Sequence, residues 1–479
     1  MLLSFYLLIQ KHEIREKITN KHMIVSFSIS NFRSFSSEQT LSLVASNRLS
    51  GSHEDHACSI PDAKEKVLKT AVLYGANGAG KSNLFKALRY LKTIVLNPRK
   101  KNSGMEREKF RFGAEADEPS VFDLQFIADS KLYRYGVKVD DHRIIEEWLY
   151  EVVGSKQKIL YERITDEQGN VHVESGKAKF KKGKLGALIT VGGPQNQSFL
   201  ATIQATLDSL DYDIELTNVI NWFDDNLTFI GPDASFGSLG HLLASNSEFL
   251  KFAGDFLSSA STGVSHLQPQ KNEISEEELR NLLSNKFISK LLEDITEDKD
   301  GIAVIRLEQG NELLIERSEE NHFYQISIKA AHEHQPGKVI PLDLSEESDG
   351  TRRLLNLLPA LHFLQSGNAV FFIDEIDRSM HPILARQFLE FFLKSCQGGR
   401  HQIIITTHES NLLDLDMLRR DEIWFAEKDQ AGSSHLYSLA DFNVRTDQDI
   451  RKRYLQGRYG AIPFLGDLNT LLGNEDLPQ

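Results

Sequence analysis

Cysteine is nearly missing from this chain: Cys58 and Cys396 are the two among 479 residues, and no paired spacing joins them to other ligands. That excludes a disulfide scaffold and fits a reducing, cytoplasmic compartment. Long apolar runs are missing too. The one suspect, Leu2 to Ile9, is too short to span a bilayer, with no basic stretch before it and no small-residue cleavage site after it. Neither a membrane anchor nor a signal peptide is expected. Positive charge is not in excess, with 55 Lys and Arg against 68 Asp and Glu and a net charge of -13. A protein that coats nucleic acid needs a surplus of cations against phosphate, so only a local basic patch stays open. There is no internal repeat, and no heptad run long enough for a coiled coil.

What is there is an ordinary globular composition, 40% hydrophobic and 26% charged, long enough for two or three lobes. Residues 1–22 precede the first fluent strand pattern and read either as an extension ahead of a start at Met23 or as an N-terminal helix. From Ile24 to Leu43, IVSFSISNF and TLSLVA alternate as two strands around a turn at Arg33 to Ser37. TAVLY is an apolar strand running into a glycine-rich loop and a helix near Ser82. Residues 120 to 190 alternate as an antiparallel meander. From Asn196 to Leu292 the spacing turns helical, as in FLATIQATLDSL and EEELRNLLSNKFISKLLEDI. Two short strands, AVIRLE and ELLIER, follow around Gln309-Gly310-Asn311. The last third returns to an α/β rhythm: a leucine-rich helix (Thr351 to Leu364), the strand AVFFID, a helix (Ile383 to Lys394) and the strand QIIITTH. Continuous apolar strands of this kind suit a parallel sheet covered on both faces.

Gly75-Ala-Asn77-Gly78-Ala-Gly80-Lys81-Ser82 satisfies the phosphate-loop pattern in full. Glycines turn successive N–H groups toward the β-phosphate of ATP, Lys81 reaches the β and γ oxygens, and Ser82, followed by Asn83, offers its hydroxyl to Mg²⁺. Asp374 and Glu375 close an apolar strand, placed to hold the magnesium and to orient or deprotonate the attacking water. His408 ends another apolar strand, one strand–helix–strand unit later, and is expected to sense the γ-phosphate or the attacking water. Ser345 to Arg353, containing Ser348 and Gly350, opens the leucine-rich helix, where free N–H groups and the helix dipole favour an anion. An ordinary N-cap is the plainer alternative there.

This set, in this order, resembles ATPase heads of the ABC type, in the SMC-like and OLD-like branch labelled AAA-15 or AAA-21. The resemblance covers residues 23 to about 190 and 335 to 430. It implies an α/β fold, an ABC-type phosphate-loop ATPase head with an antiparallel β lobe and a helical insertion. It implies that Ser348 and Gly350 form the signature that meets ATP bound to a second subunit, although the segment reads ESDGT rather than LSGGQ. Asp377 then matches the D-loop, Arg33 in NFRSF lies near the nucleotide, and Gln125 is the candidate magnesium-sensing glutamine. The expected division is an N-terminal extension (1–22), an N-terminal ATPase half (23–195), a helical insertion (196–300), a C-terminal ATPase half (301–430) and a tail (431–479).

The tail RKRYLQGRYGAIPFL (Arg451 to Leu465), with EEWLYE (Glu146 to Glu151), further resembles ATPase components of phage-defence and abortive-infection systems of the RloA, AbiL and PARIS kind. A basic helix and loop packed on the core is the alternative for that tail. The resemblance implies a slow ATPase, forming a dimer or a multiple of dimers, controlling a separate effector of TOPRIM nuclease type and answering a phage-encoded trigger. The residues after His408 are too few for a nuclease domain of its own. An SMC/OLD-like DNA repair or recombination ATPase is the second reading. A transporter subunit is disfavoured by the long stretch between Ser82 and the signature segment. KAKFKKGKLG (Lys177 to Gly186) and PRKKN (Pro98 to Asn102) read as solvated loops or as nucleic-acid contacts. His53, His56 and Cys58 match no zinc spacing.

Overall fold

The computed structural model describes residues 22–100, 103–113, 117–232, 239–275, 277–279, 302–306, 312–317, 322–362, 369–395, 401–444 and 449–462. The stretch 1–21, Cys396, the turn 309–311 and positions 463–479 of the tail lie outside them. In chain order the strands are β1 (Met23–Ser30), β2 (Gln39–Ser42), β3 (Ala57–Ser59), β4 (Lys66–Leu68), β5 (Thr70–Tyr74) and β6 (Ser120–Ala128). They continue as β7 (Lys131–Val139), β8 (Ile144–Val153), β9 (Lys156–Thr165), β10 (Val171–Glu174), β11 (Leu227–Ile230), β12 (Val264–Ile274) and β13 (Ile302–Arg306). The last are β14 (Glu312–Arg317), β15 (Phe323–Gln335), β16 (Lys338–Asp343), β17 (Val370–Ile373), β18 (Gln402–Thr406), β19 (Ile423–Lys428) and β20 (Ser434–Ser438). The chain divides into two compact units. One holds the described residues of Asn20–Phe229, Gly367–Asp377 and Phe388–Gln479, and the other those of Ile230–Ser366 and Arg378–Gln387.

The described residues of the larger unit carry two large sheets and the two-stranded pair β3-β4. The first runs β10-β9-β8-β7-β6-β1-β2, the antiparallel meander extended by the N-terminal pair. Alternation explains its faces: Phe122, Leu124 and Phe126 are fully buried while Asp123 and Gln125 between them are not. The buried face packs with Leu84, Leu88 and Leu91 of α1 (Lys81–Leu96) in one core. The second sheet runs β11-β17-β18-β5-β19-β20. Strands β17, β18, β5 and β19 are parallel neighbours. All of β5, β17 and β18 is buried, so each reads as an unbroken apolar run. Gln402 ties the two sheets: its Oε1 accepts from Ile24 N (2.7 Å), and its Nε2 donates to Ile24 O (2.9 Å) and Leu68 O (2.8 Å).

A buried ionic knot stiffens the meander. Glu147 and Arg163 are each 1% exposed. Glu147 accepts from the hydroxyls of Tyr161 (2.7 Å) and Tyr135 (3.2 Å) and from Phe199 N (2.7 Å). Arg163 donates to Ile144 O, Pro194 O and Gln195 O. EEWLYE therefore lies in β8, where Glu147 belongs to the interior.

The smaller unit is built on the sheet β12-β15-β14-β13, with β16 pairing β15. The span expected to be helical, 196–300, does contain the helices Phe199–Thr206, Ile214–Asn221, Leu239–Ser245 and Ser247–Ser259. It also contains β11 and β12, where strand was not expected. Val264–Ile274 extends because it pairs along its whole length with β15, and Pro269 disfavours a helix there. Most of EEELRNLLSNKFISKLLEDI lies outside the described residues. No helix among the described residues is long and apolar enough to cross a membrane.

Candidate functional site

In the larger unit, β5 delivers the glycine loop directly to α1. Gly75 is obligatory where it stands, since a Cβ would lie 2.4 Å from Ala426 O. Gly78 has φ 78° with open space around it, and Gly80 has φ 109°, both left-handed conformations that glycine adopts at little cost. Asn77 and Gly78 are exposed at the loop's crest. Lys81 folds back over the loop, its Nζ donating to Gly75 O (2.7 Å) and Ala76 O (3.3 Å).

The parallel neighbours β17 and β18 bring up the rest, as the carboxyl edge of an open α/β sheet does. Ser82 Oγ donates to Asp374 Oδ1 at 3.1 Å. Asp374 is 2% exposed and also accepts from Thr406 Oγ1 at 2.5 Å. Glu375 follows with φ 49°, a strained value for a residue with a side chain. Its N–H donates to Thr406 Oγ1 (2.8 Å), which holds the turn. Asp377 accepts from Thr407 Oγ1 (2.7 Å) and from His408 N (3.3 Å). His408 Nε2 lies 3.0 Å from Lys81 Nζ.

Burial brings the Lys81 ammonium down to about 8, although Asp374, Glu375 and Asp377 pull the other way. Burial also lowers His408, and the Lys81 charge lowers it further. The pair thus rests as a charged lysine donating to a neutral imidazole at neutral pH. The oxygens of Ser82 and Asp374 are hard ligands suited to magnesium that arrives with a nucleotide and keeps most of its coordination from phosphate and water. Among the described residues no group of three or more His, Cys, Asp and Glu side chains forms a metal cage.

Sequence reasoning passed over the supports. Thr406 and Thr407 position the two aspartates, and nothing but their place at a strand end marks them. Ser434 Oγ donates to Ala79 O (2.7 Å) and lies 2.8 Å from Ser34 Oγ, which also accepts from Asn83 Nδ2 (2.8 Å). This network joins the Asn31–Phe35 turn to the loop and places Arg33 one residue from that contact. Arg33 has φ 51° and pairs with Glu108. Gln125 is not brought to the cluster. It shares the face of β6 opposite the α1-packed core with Asp123, because strand alternation sends it there.

Ser348 and Gly350 belong to the smaller unit, at the start of the helix Asp349–His362. Ser348 Oγ accepts from Thr351 N (3.1 Å), a helix cap. A Cβ on Gly350 would lie 2.7 Å from Ser379 O, so the contact requires glycine.

Elsewhere, Lys177 pairs with Glu215, Lys179 with Asp213 and Lys184 with Asp211, so much of the basic run is already neutralised. His56 Nδ1 lies 3.1 Å from Glu422 rather than beside Cys58. In the tail, Tyr454 and Tyr459 stack on Phe425, and Tyr454 meets Tyr74, the residue before Gly75.

A family model described as AAA_21, "AAA domain, putative AbiEii toxin, Type IV TA system", matches residues 71–170 and 201–414. No curated protein matches the sequence. Similar solved structures include an SmcHead bound to the C-winged helix domain of ScpA, 14% identical over 87% of this chain and 97% of that one, with a TM-score of 0.34. They include an SMC head domain from Thermotoga maritima (12% identity, 87% and 98% coverage, TM-score 0.33). A third is the Smc head domain with an extended coiled coil bound to the C-terminal domain of ScpA derived from Pyrococcus furiosus (10%, 87% and 96%, 0.34).

Proposed function

The chain belongs to the AAA_21 family, which makes it an ATPase of AAA type, and from that premise we propose that it is the ATP-driven sensor and scaffold of a bacterial antiviral, abortive-infection system. The observation that carries the ATPase reading is the convergence of Lys81, Ser82, Asp374, Glu375 and His408 on neighbouring strand ends. In this reading the loop Gly75–Ser82 binds the β- and γ-phosphates, and Lys81 turns from its carbonyl partners and His408 to the phosphate oxygens. Magnesium, held by Ser82 and Asp374, supplies charge neutralisation at the phosphates when bound. Glu375 orients and deprotonates water, its carboxylate presented by the strained turn that Thr406 fixes. His408, neutral at rest, responds to the γ-phosphate.

Ser348 and Gly350 are read as the surface that meets ATP held by a second copy, with Asp377 at the same junction. Two copies then close around nucleotide, giving a dimer or a multiple of dimers, and ATP binding rather than rapid turnover is the switch. A separate effector, a TOPRIM-type nuclease, is controlled by that closure, and a phage-encoded product is the trigger. The family's description as a putative toxin of a type IV toxin–antitoxin system supports the abortive-infection setting. The pairing of Lys177, Lys179 and Lys184 with acids favours a protein scaffold over direct action on DNA.

Purified chain with magnesium should hydrolyse ATP slowly, and Glu375→Gln should lower the rate at least roughly hundredfold while ATP still binds. An unchanged rate in Glu375→Gln removes that residue from the chemistry. For the defence role, cells carrying the chain with its neighbouring effector gene should lose protection against phage on Lys81→Ala. Equal plaque counts in both strains speak against it.

A further inference from the structure

Phe112 sits where a phenylalanine has little reason to be. The residue is 61% exposed, against 2% for Phe110 two residues earlier and 38% for Phe391, the other exposed phenylalanine among the described residues. The ring is nevertheless held in place. It packs edge-on against Phe110, with centroids 5.5 Å apart and planes at 75°, and a Cβ on Gly432 would come within 3.4 Å of it.

The supports on both sides lead to the phosphate loop. On one side, Phe110 N donates to Asn31 Oδ1 (3.1 Å) and Arg33 N donates to Glu108 O (2.6 Å), so the segment Glu108–Phe112 is laced to the Asn31–Phe35 turn. On the other, Gly432 belongs to the turn before β20, where Ser434 N donates to Ser34 O (2.7 Å) and Ser434 Oγ to Ala79 O (2.7 Å). Ser34 also receives Asn83 Nδ2, and Asn83 is the residue beyond Ser82 along α1. Both supports of Phe112 therefore connect through Ser34 and Ser434 to the phosphate loop and to the first turn of α1, next to Lys81 and Ser82.

We propose that Phe112 is the stacking platform for the nucleobase of the bound nucleotide. The inference rests on the reading that Gly75–Ser82 binds ATP. An aromatic face recognises a base by its π surface and is tolerant of base identity, so purine triphosphates other than ATP bind with similar affinity. Phe112 sets nucleotide affinity and takes no part in the cleavage of phosphate.

The test is equilibrium binding to the full chain of ATP and of tripolyphosphate, both with magnesium, for the native protein, Phe112→Ala and Phe112→Trp. Phe112→Ala weakens ATP by about tenfold, leaves tripolyphosphate unchanged, and Phe112→Trp restores ATP binding. An equal loss for both ligands means that Phe112 supports the loop rather than the base, and an unchanged ATP affinity means that the ring does not touch it. Either result overturns the inference while leaving the phosphate site intact. If the native chain binds neither ligand, the phosphate-loop reading fails first and this inference falls with it.

Discussion

The ammonium of Lys81 reaches Nε2 of His408 across 3.0 Å, linking the loop after β5 to the end of β18. Lys81 is buried while His408 is an exposed residue, and both are held below their ordinary ionisation ranges, Lys81 at about 8. A triphosphate placed between them raises both. ATP binding should therefore take up protons in two windows, a lower one from His408 and one above pH 8 from Lys81. Calorimetry in buffers of different ionisation heat measures this, and His408→Gln should abolish the first window alone. No uptake above pH 8 would mean that Lys81 does not meet phosphate.

Thr406 joins Asp374 to the backbone of Glu375 through one hydroxyl. Thr406→Val keeps the shape and removes both bonds. Magnesium-dependent hydrolysis should fall roughly ten- to hundredfold, in line with the loss of a group that orients a metal ligand. Nucleotide binding measured without magnesium should stay near native. An unaltered hydrolysis rate would show that the turn holds without it.

Arg163 is the cation facing buried Glu147. Burial pushes the Glu147 carboxyl up, and Arg163 opposes that rise. Arg163→Met strands a buried carboxylate and should cost about 3–5 kcal/mol in urea unfolding. A carboxyl with a raised folded pKa binds more protons in the native state, so stability falls as pH rises from its unfolded value through the raised one. The loss in Arg163→Met should thus be larger at pH 8 than at pH 5. A loss independent of pH would assign it to packing alone.

Tyr454, 6% exposed, packs at 61° on Tyr74 and at 20° on Phe425. Tyr454→Ala should destabilise the larger unit by about 3 kcal/mol and loosen the strand that delivers Gly75. Lowered thermal stability with weakened ATP binding is the expected outcome. Native values for both would separate the tail from the site.

The elements around the site were legible because they are strongly patterned. TAVLY, AVFF and QIIIT are unbroken apolar strands, and the glycine loop admits few other readings, so their parallel pairing followed. Gln125 was misplaced because its choice rested on residue type, whereas the two-residue period that buries Phe122, Leu124 and Phe126 sends it to the other face. Thr406, Ser434 and Phe112 carried no signal, since each acts through contacts 31 or more residues away or, for Phe112, through an exposure visible only in the fold. Strand β12 was missed because its pairing with β15 is a tertiary fact that local spacing does not encode.

In the proposed assembly ATP joins two copies through Ser348 and Gly350. Its most direct test is the mass in solution of Glu375→Gln with ATP and magnesium, with Ser348→Arg added in a second sample. An even-numbered assembly that forms with ATP, and that Ser348→Arg prevents without loss of ATP binding, is the predicted result. A chain that binds ATP and stays monomeric would contradict the composite site and leave a phosphate-loop ATPase that works alone.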